Sequence, residues 1–309
     1  MHIQWFPGHM HKAAKQVREA LPEVDILIEV LDARIPFSSQ NPMIAEIIGD
    51  KPCIKLLNKS DMADPEMTAI WQEYFEKNDN VRTIATNVKG SGQLRQITDL
   101  CHRMVPNKGR AGDHRVINAM IIGIPNVGKS TLINGLAGRT IAKTGNEPAV
   151  TKQQQRIKLE HGIILIDTPG MMWPKIDHEN SGYRLAATGA IKETATDNTD
   201  VAFAVAEYLL EAYPERLVDR YKLESVPESE IELLEAIGRL RGSLRSGGSI
   251  LLEKVSNILI SELRSGFLGP ITMEDPARVE KEQTEVVIAK EAKRIKDEAR
   301  KKGFKKKRR

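Results

Sequence analysis

The chain carries the phosphate-loop signature Gly123-Ile124-Pro125-Asn126-Val127-Gly128-Lys129-Ser130 downstream of the tetrad Asn58-Lys59-Ser60-Asp61, and this order constrains the fold more than any other feature. The spacing Gly-x4-Gly-Lys-Ser works only between a strand and a helix. Its glycines let backbone N–H groups turn inward around phosphate oxygens, and the helix start adds its positive end. The apolar run Val116 to Ile122 and the helical sequence from Lys129 supply that context. Lys129 is placed to reach the terminal phosphates and Ser130 to ligate Mg²⁺, while Asn126, Val127, Gly128 and Thr131 complete the phosphate-binding set. The tetrad ends another apolar run, Lys51 to Leu57. The usual order of such segments is then reversed, as though the chain had been cut and rejoined elsewhere.

The tetrad has a specific chemistry. A carboxylate at Asp61 accepts two hydrogen bonds from the ring N–H and exocyclic amine of guanine, and adenine offers no matching donors. With Asn58 and Lys59 beside it, the pair of motifs selects GTP over ATP as substrate. Thr86-Asn87-Val88 lies where a second base-supporting loop belongs, although it departs from the usual Ser-Ala-Lys. Asp167-Thr168-Pro169-Gly170 follows a further apolar strand, so Asp167 is expected to hold Mg²⁺ through water and the Gly170 N–H to sense the γ-phosphate. In the polar loop Gly145 to Lys152, Thr151 is the candidate switch threonine for Mg²⁺, with Thr144 as competitor. Many GTPases follow the glycine with a water-orienting glutamine. Here Met171, Met172 and Trp173 follow, so hydrolysis needs another group or a partner. Asn126 reads equally as a ligand for K⁺ beside the phosphates and as a simple turn asparagine.

Strands alternate with helices up to about residue 194, which predicts an α/β fold with a mostly parallel sheet and helices on both faces. Beyond it the apolar residues fall at helical spacing in Val201 to Tyr213, Glu228 to Leu240 and Ile250 to Leu263, and a charged helix is predicted from Pro276. We therefore expect a nucleotide domain over 1–194 with an N-terminal arm over 1–22, an all-helical domain over 195–299, and a basic tail over 300–309. The net charge of +4 conceals that division: the tail has eight Lys or Arg and no acid, leaving 38 basic and 42 acidic groups elsewhere. Such a tail, Lys305, Lys306, Lys307, Arg308 and Arg309 above all, suits a phosphate backbone. A solvated end is the alternative. There is no membrane-span run or export segment, and Cys53 and Cys101 stand apart, so the expected location is cytoplasmic.

Gln4-Trp5-Phe6-Pro7-Gly8-His9-Met10, Asp32-Ala33-Arg34-Ile35-Pro36, the tetrad, the phosphate loop and Asp167-Thr168-Pro169-Gly170 occur in one order that closely resembles the RbgA (YlqF) family of circularly permuted GTPases. The resemblance spans roughly residues 1–190. It implies a P-loop GTPase fold, GTP hydrolysis stimulated by the ribosome, and a role in late assembly of the large ribosomal subunit. The partners would then be rRNA and ribosomal proteins of the large subunit or its precursor, with the chain a monomer and no membrane involved. It also implies that His9 supplies the catalytic function missing at Met171. On its residues alone, His9 stands at a helix start where an imidazole orients or deprotonates water, contacts RNA phosphate, or caps its own helix. Ala149 departs from the glycine expected before Val150-Thr151. Two competing functions remain: a nucleotide-gated RNA-binding module with little turnover, and a regulatory GTPase whose tail binds acidic lipid.

Overall fold

Apolar runs of strand length pair in parallel here because helical crossovers return each strand to the same edge. The computed structural model describes residues 3, 5–87, 91–109, 115–142 and 155–307. Its strands are β1 (Ile26–Asp32), β2 (Cys53–Asn58), β3 (Val81–Thr86), β4 (Ile117–Ile122), β5 (Gln155–Lys158) and β6 (Ile163–Asp167). They form one six-stranded sheet in the order β3-β2-β1-β4-β6-β5, parallel except for the β5 edge. Every residue of β1 is buried, as a central strand covered on both faces requires. The chain first adds strands on one side, from β1 to β3, and then on the other, from β4 to β6. The boundary between β1 and β4 is therefore the topological switch point, where open α/β sheets place their ligands at the carboxyl ends of the strands.

The helices in this part are α1 (Gly8–Ala20), α2 (Pro42–Ile48), α3 (Pro65–Glu76), α4 (Ser91–Met104), α5 (Lys129–Ala137) and α6 (Glu179–Ala187). Pro65 opens α3, and the Asp64 side chain caps it by accepting from Glu66 N–H and Met67 N–H. The segment after β1 contains α2, whose start is fixed by an Asn41 cap and Pro42. The remaining helices are α7 (Asn198–Ala212), α8 (Pro214–Tyr221), α9 (Glu230–Leu240), α10 (Leu252–Ser265) and α11 (Pro276–Lys307). The last runs without a break through the expected tail boundary at residue 300. Among the described residues no helix is long and apolar enough to cross a membrane.

The helical part is seated on the sheet by a strap between α10 and α11. Ile271 N–H donates to Met62 O at 2.9 Å and Met273 N–H to Arg34 O at 2.7 Å. The indole of buried Trp71 donates to Glu274 O at 3.0 Å. The Glu274 carboxylate, fully buried, accepts from Ser38 N–H at 2.9 Å and from Arg184 Nη1 at 3.4 Å. Burying a carboxylate raises its pKa, and that of Glu274 is raised despite Arg184.

Candidate nucleotide site

The parallel sheet brings the carboxyl ends of β1, β2, β3, β4 and β6 to one edge, and with them Asp32, Asn58, Thr86, the phosphate loop and Asp167. Register pairs Asp32 with Asn58 and Asn58 with Thr86 on adjacent strands. The tetrad and the phosphate loop meet directly: Asn58 Nδ2 donates to Val127 O at 2.7 Å. Gly128 is required at this contact. Its φ is +93°, and a Cβ there would lie 2.2 Å from Asn58 Nδ2. A Cβ at Gly123 would lie 2.7 Å from Val30 O, so β1 also forces a glycine at the start of the loop.

Lys59 adopts the left-handed conformation, with φ of 60°, and begins the tight turn Ser60–Met62 that carries exposed Asp61. Its ammonium donates to Asp32 Oδ2 at 2.7 Å. Arg34 grips the same carboxylate through Nε at 2.9 Å and Nη2 at 2.8 Å. Burial alone would raise the Asp32 carboxyl, but the two cations outweigh it and hold Asp32 well below the usual carboxylate range. At the second base-supporting position, Thr86 Oγ1 donates to Gln93 Oε1 at 3.0 Å, and Asn87 N–H donates to the same oxygen at 3.4 Å. Gln93 on α4 was not foreseen, because its role depends on how α4 packs beside β3.

Lys129 and Asp167 face each other across the phosphate end. Burial lowers the Lys129 ammonium and raises the Asp167 carboxyl, and each opposes the other's shift. Both carboxylate oxygens of Asp167 are buried without a hydrogen-bond partner in the structure, which fits a residue built to meet a cation. Among the described residues no cluster of three or more His, Cys, Asp or Glu gathers to hold a metal. Ser130, half-buried, and exposed Thr131 follow Lys129 in α5. Asn126 has φ of 62°, and its Nδ2 donates to Gly189 O at 2.7 Å. Any cation at Asn126 would have to use the amide oxygen.

The segment Asp167-Thr168-Pro169-Gly170 packs against this loop. Thr168 Oγ1 donates to Ile121 O at 2.8 Å and Met171 N–H to Gly123 O at 3.3 Å. Gly170 backs onto Pro125, where a Cβ would meet Pro125 Cα at 3.3 Å. Met171 and Met172 are buried in the core, so the residue after Gly170 offers no water-orienting group. Instead Met172 N–H points at Met10 Sδ, 3.3 Å away, which brings the first turn of α1 against the segment after Gly170. His9 lies in that turn, and its side chain is outside the described residues. Thr144, Ala149 and Thr151, with Arg308 and Arg309, also lie outside them, as do the side chains of Lys305, Lys306 and Lys307.

A strand, a glycine loop and a helix bonded through Asn58 to a guanine-type tetrad define a P-loop GTPase whose motifs run in permuted order. The family described as 50S ribosome-binding GTPase matches residues 118–233, starting in β4 and leaving out the tetrad upstream. The Ribosome biogenesis GTPase A of Bacillus pumilus (strain SAFR-032) is 50% identical over 281 residues, 89% of this chain and 99% of that protein. The protein of the same name from Priestia megaterium (strain DSM 319 / IMG 1521) is 46% identical over 91% of this chain and 99% of its own length. The crystal structure of GNP-bound YlqF from T. maritima is similar at a TM-score of 0.60 and 28% identity, covering 86% of this chain and 98% of that one. The chain belongs to the ribosome biogenesis GTPase A family, and its reaction is hydrolysis of GTP.

Proposed function

We propose that this GTPase binds rRNA on the large ribosomal subunit precursor in the cytoplasm, as a monomer, and couples hydrolysis to a late maturation step and its own release. The observation that carries the nucleotide chemistry is the Asn58–Val127 hydrogen bond, which unites the transposed segments in one site. Asp61 reads the guanine, with Asn58, Lys59, Thr86 and Asn87 supporting the base. The backbone from Asn126 to Thr131 cradles the phosphates, and Lys129 stabilises charge developing on the γ-phosphate. Ser130, Asp167 and Thr151 hold Mg²⁺, which supplies charge neutralisation when bound; the unpartnered Asp167 oxygens support its place. Gly170 N–H senses the γ-phosphate. K⁺ at Asn126 belongs to the same reading and is tested by comparing rates in potassium and sodium salts.

His9 orients the attacking water. The support is the contact of its neighbour Met10 with Met172, together with the burial of Met171, which leaves that task to another element. rRNA engaging the helical part and the Lys305 to Arg309 tail would order α1 against the switch and so accelerate hydrolysis. The test is GTP hydrolysis with and without purified large subunits, for wild type and His9→Ala. Stimulation lost in His9→Ala with GTP affinity kept supports the reading. Buried Met171 favours one alternative, a nucleotide-gated RNA-binding module, and equal, unstimulated rates in both proteins would select it.

A further inference from the structure

Arg34 has no direct place in the chemistry described above, yet it is a charged side chain only 1% exposed, and its contacts run in two directions. Toward the site, its backbone N–H at 3.1 Å, its Nε at 2.9 Å and its Nη2 at 2.8 Å all donate to Asp32. This fork fixes the carboxylate plane. One oxygen of that carboxylate then accepts from Lys59 at 2.7 Å, the residue whose left-handed backbone launches the turn carrying Asp61. Away from the site, Arg34 Nη1 lies 3.3 Å from Leu263 O and 3.4 Å from Arg264 O, in the last turn of α10. Leu263 O also accepts from the capping Gly266 N–H at 3.3 Å, and the guanidinium adds a second donor at a helix end where carbonyls outnumber donors.

The far end of the turn is held from the same side. Gly266, just past α10, backs onto Met62, where a Cβ would meet Met62 Cγ at 3.2 Å. Ile271 N–H bonds Met62 O at 2.9 Å. Asp61 thus sits in a short turn whose entrance is anchored by Lys59–Asp32–Arg34 and whose exit is anchored by the residues after α10. Arg34 belongs to the first anchor and reaches the second side through the last carbonyls of α10 and through Met273 N–H, which donates to Arg34 O at 2.7 Å. Lysine could pair with Asp32, but a single ammonium cannot also span to both helix carbonyls.

We infer that Arg34 is a positioning residue for guanine selection: it sets the Asp61 turn through Asp32 and Lys59, and ties that turn to the end of α10. The helical part of the molecule is then joined mechanically to the turn that carries Asp61. This inference rests on the reading of Asn58 to Asp61 as the guanine-reading tetrad.

Inosine diphosphate lacks only the exocyclic amine that Asp61 reads, so the ratio of GDP to inosine diphosphate affinity reports the aim of Asp61. Calorimetric titration of the full chain should show wild type preferring GDP by about tenfold or more, as one hydrogen bond to a charged group gives. Arg34→Ala should bring the ratio to within about twofold of unity, and Arg34→Lys should restore most of it, because the Asp32 ion pair is kept. A role in packing alone would weaken both nucleotides equally and leave the ratio unchanged, which overturns the inference. Hydrogen exchange covers an Arg34→Ala that does not fold. In wild type, GDP should protect the amides of residues 266–269 and 271, and Arg34→Lys should lose that protection; protection retained in Arg34→Lys also overturns it. A wild type with no preference for GDP would instead overturn the tetrad reading, and the inference with it.

Discussion

The side-chain amide of Asn58 donates to the backbone carbonyl of Val127 across 2.7 Å, joining residues 69 positions apart in the chain. The bond ties the guanine-type tetrad to the phosphate loop, whichever comes first in the sequence. Because it is buried, its loss costs both the bond and the desolvation of Val127 O. Asn58→Ala is expected to weaken GTP binding by about 1–3 kcal/mol, roughly fivefold to a hundredfold, measured with a fluorescent nucleotide.

Gly128 gives a sharper case. Its positive φ and the 2.2 Å approach of Asn58 Nδ2 leave no room for a methyl group. Gly128→Ala should displace Asn58 from Val127 and abolish GTP binding while the sheet still folds, which circular dichroism alongside nucleotide titration checks.

Asp167 is a carboxylate raised by burial, and its linkage has a definite sign. A group raised in the folded state stabilises fully below its ordinary value, 3.8, and that stability is lost as pH rises through the folded value. At neutral pH the nucleotide-free protein therefore buries this charge at a cost. Asp167→Asn should melt higher than wild type at about pH 7, with the gain shrinking toward about pH 4, and should lose hydrolysis. Thermal melts at the two pH values decide it; an equal shift at both would contradict the account.

Asp32 behaves in the opposite sense. Its lowered pKa means a stability contribution present above 3.8 and lost as pH falls through the depressed value. Removing it would leave the Arg34 and Lys59 cations facing each other without their shared counter-charge. Asp32→Ala is expected to cost about 3–5 kcal/mol at neutral pH, read from urea denaturation.

The core of the architecture was legible from local pattern. Apolar runs ending in Asn58 and Asp167, and the run leading into Gly123, identified β2, β6 and β4, because buried parallel strands carry continuous apolar sequence. α2, α6 and α8 escaped notice, since helices of 7, 9 and 8 residues offer barely two turns of periodicity. The Asn41 cap and Pro42 were the available signal for α2. The roles of Asp32 and Arg34 were out of reach for a different reason: Arg34 bonds Leu263, 229 positions away, and no local pattern encodes that contact. Met171 was read correctly as lacking a water-orienting group, and its burial adds that it serves the core instead.

The central claim is that Asp61 and Lys129 act on the two ends of one guanosine triphosphate. Asp61→Asn tests it most directly, because an amide matches the ring of xanthosine triphosphate and no longer matches guanine. Steady-state hydrolysis should switch its kcat/KM preference from GTP to xanthosine triphosphate in Asp61→Asn, and Lys129→Ala added to that variant should abolish both. Unaltered GTP preference in Asp61→Asn would contradict the account.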